Sequence, residues 1–406
     1  MGNTPLAWAA RSGHEEVVRE LLGRDDIDPD KPGEDGQTPL CLAACNGHEG
    51  VVKILLGRDD VNPDKSDEYD QTPLLLAASH EHEGVAKMLL GREDINPDKP
   101  NSYGETPLLW AVRNGLEGVV KMLLGRDGVN PNSPDWDGET PLLGAISSGN
   151  EGIVKMLLGR DDFNPGRPGR DVWEAVFLAA WEGHEGMVKL LLARNGINPD
   201  KPNEDGQTPL LRAADSGHER MVEILLERDE VNPDKQDRDG QTPLSRAACY
   251  GYEGIVKMLL QRNDVNPDVP DVSSRTPLWW AASQGNEGIL KILLERDEVN
   301  PDKPDRDGQT PLSRAACNGH QGIVKMLLQR DDISPDEPNK RGQTPLWWAA
   351  YYGHEGIVKM LLGRDEVDPD KPDTQGRAPL WCATKNGYAE VVALLQRLTS
   401  ASYHAA

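Results

Sequence analysis

A repeat of fixed length constrains this chain more than any other feature. Thr4, Thr38, Thr72, Thr106, Thr140, Thr208, Thr242, Thr276, Thr310 and Thr344 are spaced by 34 or 68 residues, and Glu174 and Ala378 fill the two vacant slots, giving twelve copies in one register. A period between about 20 and 50 residues marks a stacked array of small units. It replaces the two or three globular domains that 406 residues would otherwise suggest. The expectation is one all-α domain over residues 1–406, with units starting near 4, 38, 72, 106, 140, 174, 208, 242, 276, 310, 344 and 378 and an irregular stretch at 164–186.

The second copy, TPLCLAACNGHEGVVKILLGRDDVNPDKSD, shows what one unit can form. Thr38 is a helix cap and Pro39 fits the first turn, where no amide hydrogen is needed. Leu40, Ala43 and Ala44 follow at helical spacing, small enough for close approach by another helix, until Asn46 and Gly47 break the run. Val51, Val52, Ile54, Leu55 and Leu56 are too dense for a helix with one wet face, so the second helix is predicted to be covered on two sides. Pro and Asp then end the unit in a loop. One such hairpin cannot offset its conformational entropy alone, so the units must stack.

Gly36, Thr38, Pro39, Leu40, Ala43, Ala44, Gly47, His48, Val51, Val52, Leu55 and Leu56 resemble the ankyrin repeat, and similar matches cover nearly the whole chain. The chain departs from that family where a histidine should follow Thr-Pro-Leu: Cys41, Leu75, Ser245, Trp279 and Trp347 stand there instead. Its period is 34 rather than 33, and a Pro-Asp-Lys-Pro insertion lengthens the loop. The resemblance implies an ankyrin-type solenoid that binds a protein or extended peptide along a concave groove, without catalysis or cofactor. The loop wording GRDDVNPDKPD is also similar to arrays carried by fungal NACHT-type ATPases, although no G-x-x-x-x-G-K-[ST] phosphate loop is present.

Composition narrows the partners. With 68 acidic against 44 basic residues the net charge is −24, which repels nucleic acid. The acidic loops read as a solvated rim, with a surface for a basic partner as the alternative. Cys45, Cys249 and Cys317 share one repeat position, and at about 10 Å per stacked helix pair none can reach another, so reduced thiols and an intracellular, cytoplasmic setting are expected. No run is long and apolar enough for a membrane span or a leader. A monomer is expected. The bare start at Thr4 suggests a piece of a longer protein.

His14, His48, His82, His184, His218, His320 and His354 all follow the glycine between the helices, once per unit, which points to a structural role rather than a metal or catalytic one. The Asp305–Gly308 stretch lacks the first ligand of a calcium loop, and no nucleophile sits with a spaced base and acid.

The tryptophans carry the binding expectation. Eight of ten fall in first helices, whose outer side the stacking core does not need. In TPLWWAA, Trp279 and Trp347 are predicted to pack between units, whereas Trp280 and Trp348 face a groove; the alternative is that these two merely cover adjacent helices, with Arg246 and Arg314 stacked on their rings. The candidate partner-binding residues are Arg212, Arg246, Tyr250, Trp280, Arg314, Trp348 and Tyr352, together with Trp110 and Trp181. A mechanical spacer with an empty groove is the competing reading, and the alternation of Trp-Trp with Ser-Arg is also what duplication of a 68-residue double unit would leave. The irregular unit RDVWEAVFLAAWEG lacks Thr-Pro-Leu. Asp171 and Glu174 predict an earlier helix start, and Trp173, Phe177 and Trp181, with Arg167 and Arg170 nearby, mark either local repacking or a contact site.

Overall fold

The computed structural model describes residues 3–163, 171–194 and 197–402, and these form 24 α-helices and no strand. The fold is the all-α helical-repeat class expected. The chain divides into two compact units, Met1–Ile197 and Asn198–Ala406, each a stack of helix pairs.

Capping chemistry sets where each pair begins. Thr38 accepts a hydrogen bond from the Cys41 amide at 3.2 Å and Thr276 one from the Trp279 amide at 3.2 Å, with proline at the first helical position in both. First helices such as Pro39–Cys45 and Pro277–Gln284 end at a glycine or polar residue, and second helices such as Glu49–Leu56 and Glu287–Leu294 carry the buried valine, isoleucine and leucine. The first helix of the irregular stretch is the longest first helix, Asp171–Glu182, which starts early as expected and brings Trp173 into a first helix too.

Within each unit, successive first helices pack together and successive second helices pack together. The turn between them fixes a histidine to the preceding repeat: His48 Nε2 reaches Arg11 O at 2.9 Å, His82 reaches Cys45 O at 3.0 Å, His320 reaches Ser283 O at 3.0 Å and His354 reaches Cys317 O at 3.1 Å. These rings cap no helix of their own; they donate across the interface to a carbonyl at the end of the neighbouring first helix. The histidine role is structural, but its target is the adjacent repeat.

The lengthened loops form a second cross-repeat ladder. Arg58 forks onto Asp60 at 2.7 Å and donates to Leu22 O at 2.8 Å, an otherwise open carbonyl in the last turn of the preceding second helix. Asp30 accepts from the Asn62 amide at 2.8 Å, while Lys65 Nζ binds Asp30 O at 2.8 Å. The same pairs recur as Asn96 and Lys99 on Asp64, and Lys303 and Lys371 reach Asp268 and Asp336. Asp67 Oδ1 then accepts from both Tyr69 and Gln71 amides, closing the loop tip into a hairpin turn. Much of the acidic excess is thus structural rather than a merely solvated rim.

Two predictions follow from this backbone. The residue at one turn position and that at one loop-tip position need a left-handed conformation, which glycine supplies at Gly285 (φ +82) and Gly240 (φ +73) but Glu81 (φ 61) and Ser274 (φ 63) do not. Glu81→Gly and Ser274→Gly should each raise stability by about 1 kcal/mol, read as a higher denaturant midpoint. Gly285→Ala should lower it, since the new Cβ would also lie 2.8 Å from the His320 ring.

The second prediction is a pH dependence. Burial pushes the Asp30, Asp64, Asp98, Asp234, Asp268 and Asp336 carboxyls above the ordinary aspartate value, the backbone amide or lysine beside each opposing it. The native state then binds more protons than the unfolded chain between pH about 4 and the raised values, so stability falls as pH rises through that window. The arginine fork holds Asp60, Asp94, Asp264 and Asp332 below the ordinary value, so their contribution is lost as pH falls below about 4. The melting temperature should therefore peak at mildly acid pH. Replacing Asp64, Asp98 and Asp234 by asparagine, which already stands at the equivalent Asn132, should flatten the limb between the peak and neutrality.

Candidate functional site

In the second unit the first helices Pro209–Ser216, Pro243–Tyr250, Pro277–Gln284, Pro311–Asn318 and Pro345–Tyr352 lie in sequence side by side, and each contributes the residue before its paired alanines. That row is Arg212, Arg246, Trp280, Arg314 and Trp348, all half-buried. Tyr250 and Tyr352, one turn along, are 53% and 45% exposed.

The paired tryptophans divide as their helical phase predicts. Trp279 is 4% exposed and Trp347 only 2%. Their indole nitrogens donate to Gln309 O at 3.2 Å and Arg377 O at 3.0 Å, tying each helix to the loop of the following repeat. Trp280 and Trp348 stand edge-on to these partners, with centroids 5.2 and 5.1 Å apart, and neither indole nitrogen has a protein acceptor. Around Trp348 the rings form a cluster: Tyr351 stacks on Trp347 at 5.1 Å and Tyr352 on Trp348 at 6.0 Å.

The arginines do not take the partners that sequence spacing suggested. Arg275, from the loop before the helix, lies 4.3 Å over Trp280 and is held by Asp271 at 2.8 Å. Arg314 lies 5.4 Å over Trp279 and reaches Ser283 Oγ at 3.3 Å. Arg246 is drawn instead to Asp237 at 3.1 Å and Asp215 at 3.6 Å, and Arg212 to Asp215 at 3.3 Å. For Arg246 the physical reason is competition: carboxylates within salt-bridge reach hold its guanidinium away from a ring face. The face is an aromatic floor edged by neutralised ion pairs.

The two remaining candidates belong to the first unit. Trp110 is half-buried and donates to Glu105 Oε2 at 3.1 Å, and Trp181 is 45% exposed on Asp171–Glu182. Trp173 and Phe177 are half-buried on that helix, and Phe163 is buried with Arg194 5.6 Å over its ring. Arg167 and Arg170 lie outside the described residues.

The described residues bring no set of metal ligands together. No group of three His, Cys, Asp or Glu side chains could hold an ion among them. Burial pushes the Cys41 and Cys382 thiols up to about 11, far from a ready nucleophile, and all five cysteines are unpaired. No helix among the described residues is long and apolar enough to cross a membrane.

What sequence reasoning missed is a set of aromatic loop tips in the first unit, Tyr69, Tyr103 and Trp136, which are 51, 65 and 76% exposed. Their signal was the same repeat register, which places all three at the tips of successive loops.

Among known proteins, a family model described as ankyrin repeats (3 copies) matches residues 1–67, 60–135, 94–168, 176–271, 263–339 and 332–403. No curated protein matches the chain, so the likeness of its loops to those of NACHT-type ATPases gains no support there.

The division of the tryptophans is testable. Trp347→Phe removes a buried donor and strands Arg377 O, and should cost about 1 to 3 kcal/mol of stability. Trp348→Phe removes an indole nitrogen that has no protein partner and should cost clearly less, as compared by chemical denaturation.

Proposed function

Because the chain belongs to the ankyrin-repeat family, whose members generally mediate protein–protein interaction, we propose that the first-helix face of the second unit is a recognition surface for an extended peptide or a protein segment. One observation carries this reading. Trp280 and Trp348 keep part of each ring open two repeats apart, with Arg314 between them and the exposed Tyr352 beside Trp348, although their immediate neighbours Trp279 and Trp347 are fully packed. A core-filling role needs only the buried member of each pair. Tryptophan, tyrosine and arginine are also the types most often found as binding hot spots.

At about 10 Å per repeat, a ligand some 30 Å long spans Arg246, Trp280, Arg314 and Trp348. Arg246 and Arg314 orient such a ligand while their own partners Asp237 and Ser283 keep them in place. The role is non-catalytic binding, as is typical of the family. The chain acts as a monomer in a reducing compartment, a setting that suits its unpaired cysteines.

The test uses peptides selected from a display library against the intact chain. Trp280→Ala with Trp348→Ala should cost at least about 2 kcal/mol of binding. The same double variant should lose far less stability than Leu293→Ala, a fully buried control expected to cost about 2 to 5 kcal/mol. Unchanged affinity, or melting like the control, would assign these rings to packing and leave the second unit a spacer.

A further inference from the structure

The loop tips of the first unit form a surface that the groove reading does not use. Successive tips are bonded through their backbones: the Ser102 amide donates to Tyr69 O at 3.0 Å, and the Trp136 amide donates to Tyr103 O at 3.3 Å. Tyr69 and Tyr103 occupy the same position of their repeats, and Trp136 stands one residue earlier in the next. The Trp136 ring lies against Gly104, where a Cβ would come within 2.4 Å of its Cδ1, so it sits directly beside Tyr103. Three large rings, each at least half exposed, thus run along three adjacent tips with the backbone beneath them fixed. Exposed aromatic residues in a contiguous row are uncommon on a surface that meets only water.

The charged residues of the tip segments are all acidic. Asp35, Glu68, Asp70 and Asp137 are exposed at these tips, and the tip segments 34–36, 68–70, 102–104 and 136–138 contain no lysine or arginine. At the base of the last two loops, Glu105, Asp135 and Glu139 surround the single cation Arg113, leaving two uncompensated negative charges. The repeat pattern does not require this. At the position held by Trp136, the second unit carries Arg238, Arg306 and Lys340 beside Glu204, Val272 and Thr374.

We propose that the first unit's loop tips are a docking surface for a lysine- or arginine-rich segment of a partner protein. Ring faces attract cations within about 6 Å, and the flanking carboxylates supply charge complementarity that neither rings nor acids give alone. Long basic side chains also lay their alkyl stems along aromatic rings. This proposal uses none of the residues of the recognition surface proposed for the second unit and does not depend on it.

The experiment is calorimetric titration of a deca-lysine peptide into the full chain at physiological salt, beside the same peptide with every lysine acetylated. Saturable binding of the charged peptide alone is expected. Tyr69→Ser, Tyr103→Ser and Trp136→Ser combined leave the net charge at −24 and should weaken binding at least tenfold. Glu219→Gln with Glu253→Gln, two carboxylates of the second unit, should change it less than twofold. Because the tip side chains are exposed, an unchanged melting curve shows that the triple variant is folded. Binding by the triple variant within twofold of the intact chain would overturn the proposal, since diffuse charge would then suffice. The absence of saturable binding would overturn it too. So would a dimer of the chain that the triple variant abolishes while deca-lysine fails to bind, which would make a second copy the occupant.

Discussion

No repeat in this chain is complete by itself. A pair of helices of about seven and eight residues leaves one helix with apolar residues on two sides and a loop with unmet donors and acceptors. The next repeat supplies both. Val51, Val52 and Leu55 are wholly buried only because second helices pack against one another, and the carbonyls at Leu22, Leu56 and Leu294 are met only because Arg58, Arg92 and Arg330 reach back across the interface. Everything else follows from this mutual completion, including the freedom of the first-helix face and of the loop tips to vary.

The polar part of that completion explains the composition. An acidic excess of this size would ordinarily weaken a compact chain by self-repulsion. Here many aspartates are acceptors at fixed addresses: Asp30 and Asp64 for amides of the next loop, Asp60 and Asp94 for arginine forks, Asp67 and Asp135 for the tip turns. Burial raises the Asp30, Asp64, Asp98, Asp234 and Asp268 carboxyls, one oxygen of each lacking a protein donor, while the arginine forks lower Asp60 and Asp94. The ladder therefore contains two classes of aspartate that respond to acid in opposite directions.

The fold was legible in the sequence because stacking imposes the same chemistry at every 34th residue: a cap at Thr276, a proline at Pro277, an obligatory turn at Gly285. The split between Trp279 and Trp280 was legible too, since a rotation of about 100° per residue separates a packed side chain from a presented one. The arginine partners were not. Spacing along a helix reports which residues share a face, but Arg275 enters from a loop and Arg246 turns to Asp237 in another, and loop direction leaves no periodic trace. The acidic rim was misjudged for a related reason. Its recurrence was visible, but an exposed aspartate and an aspartate accepting a neighbour's amide have the same sequence signature.

The tip row shows where such signals can still be recovered. Positions that hold the stack together keep one chemistry in most copies, as the Asx residue of the tip does at Asp67, Asn101, Asp135, Asp237 and Asp305, with Gly33 and Gly169 the departures. The residue that follows it meets no such demand, being Glu68, Ser102 and Trp136 in one unit and Glu204, Arg238, Val272, Arg306, Lys340 and Thr374 in the other. Variation at a position whose backbone is fixed on both sides changes only what the surface offers to another molecule. In a repeat protein the invariant positions therefore describe the scaffold, and function is to be sought where a rigid backbone carries a changing side chain, as it does at Trp136 and again at Trp280.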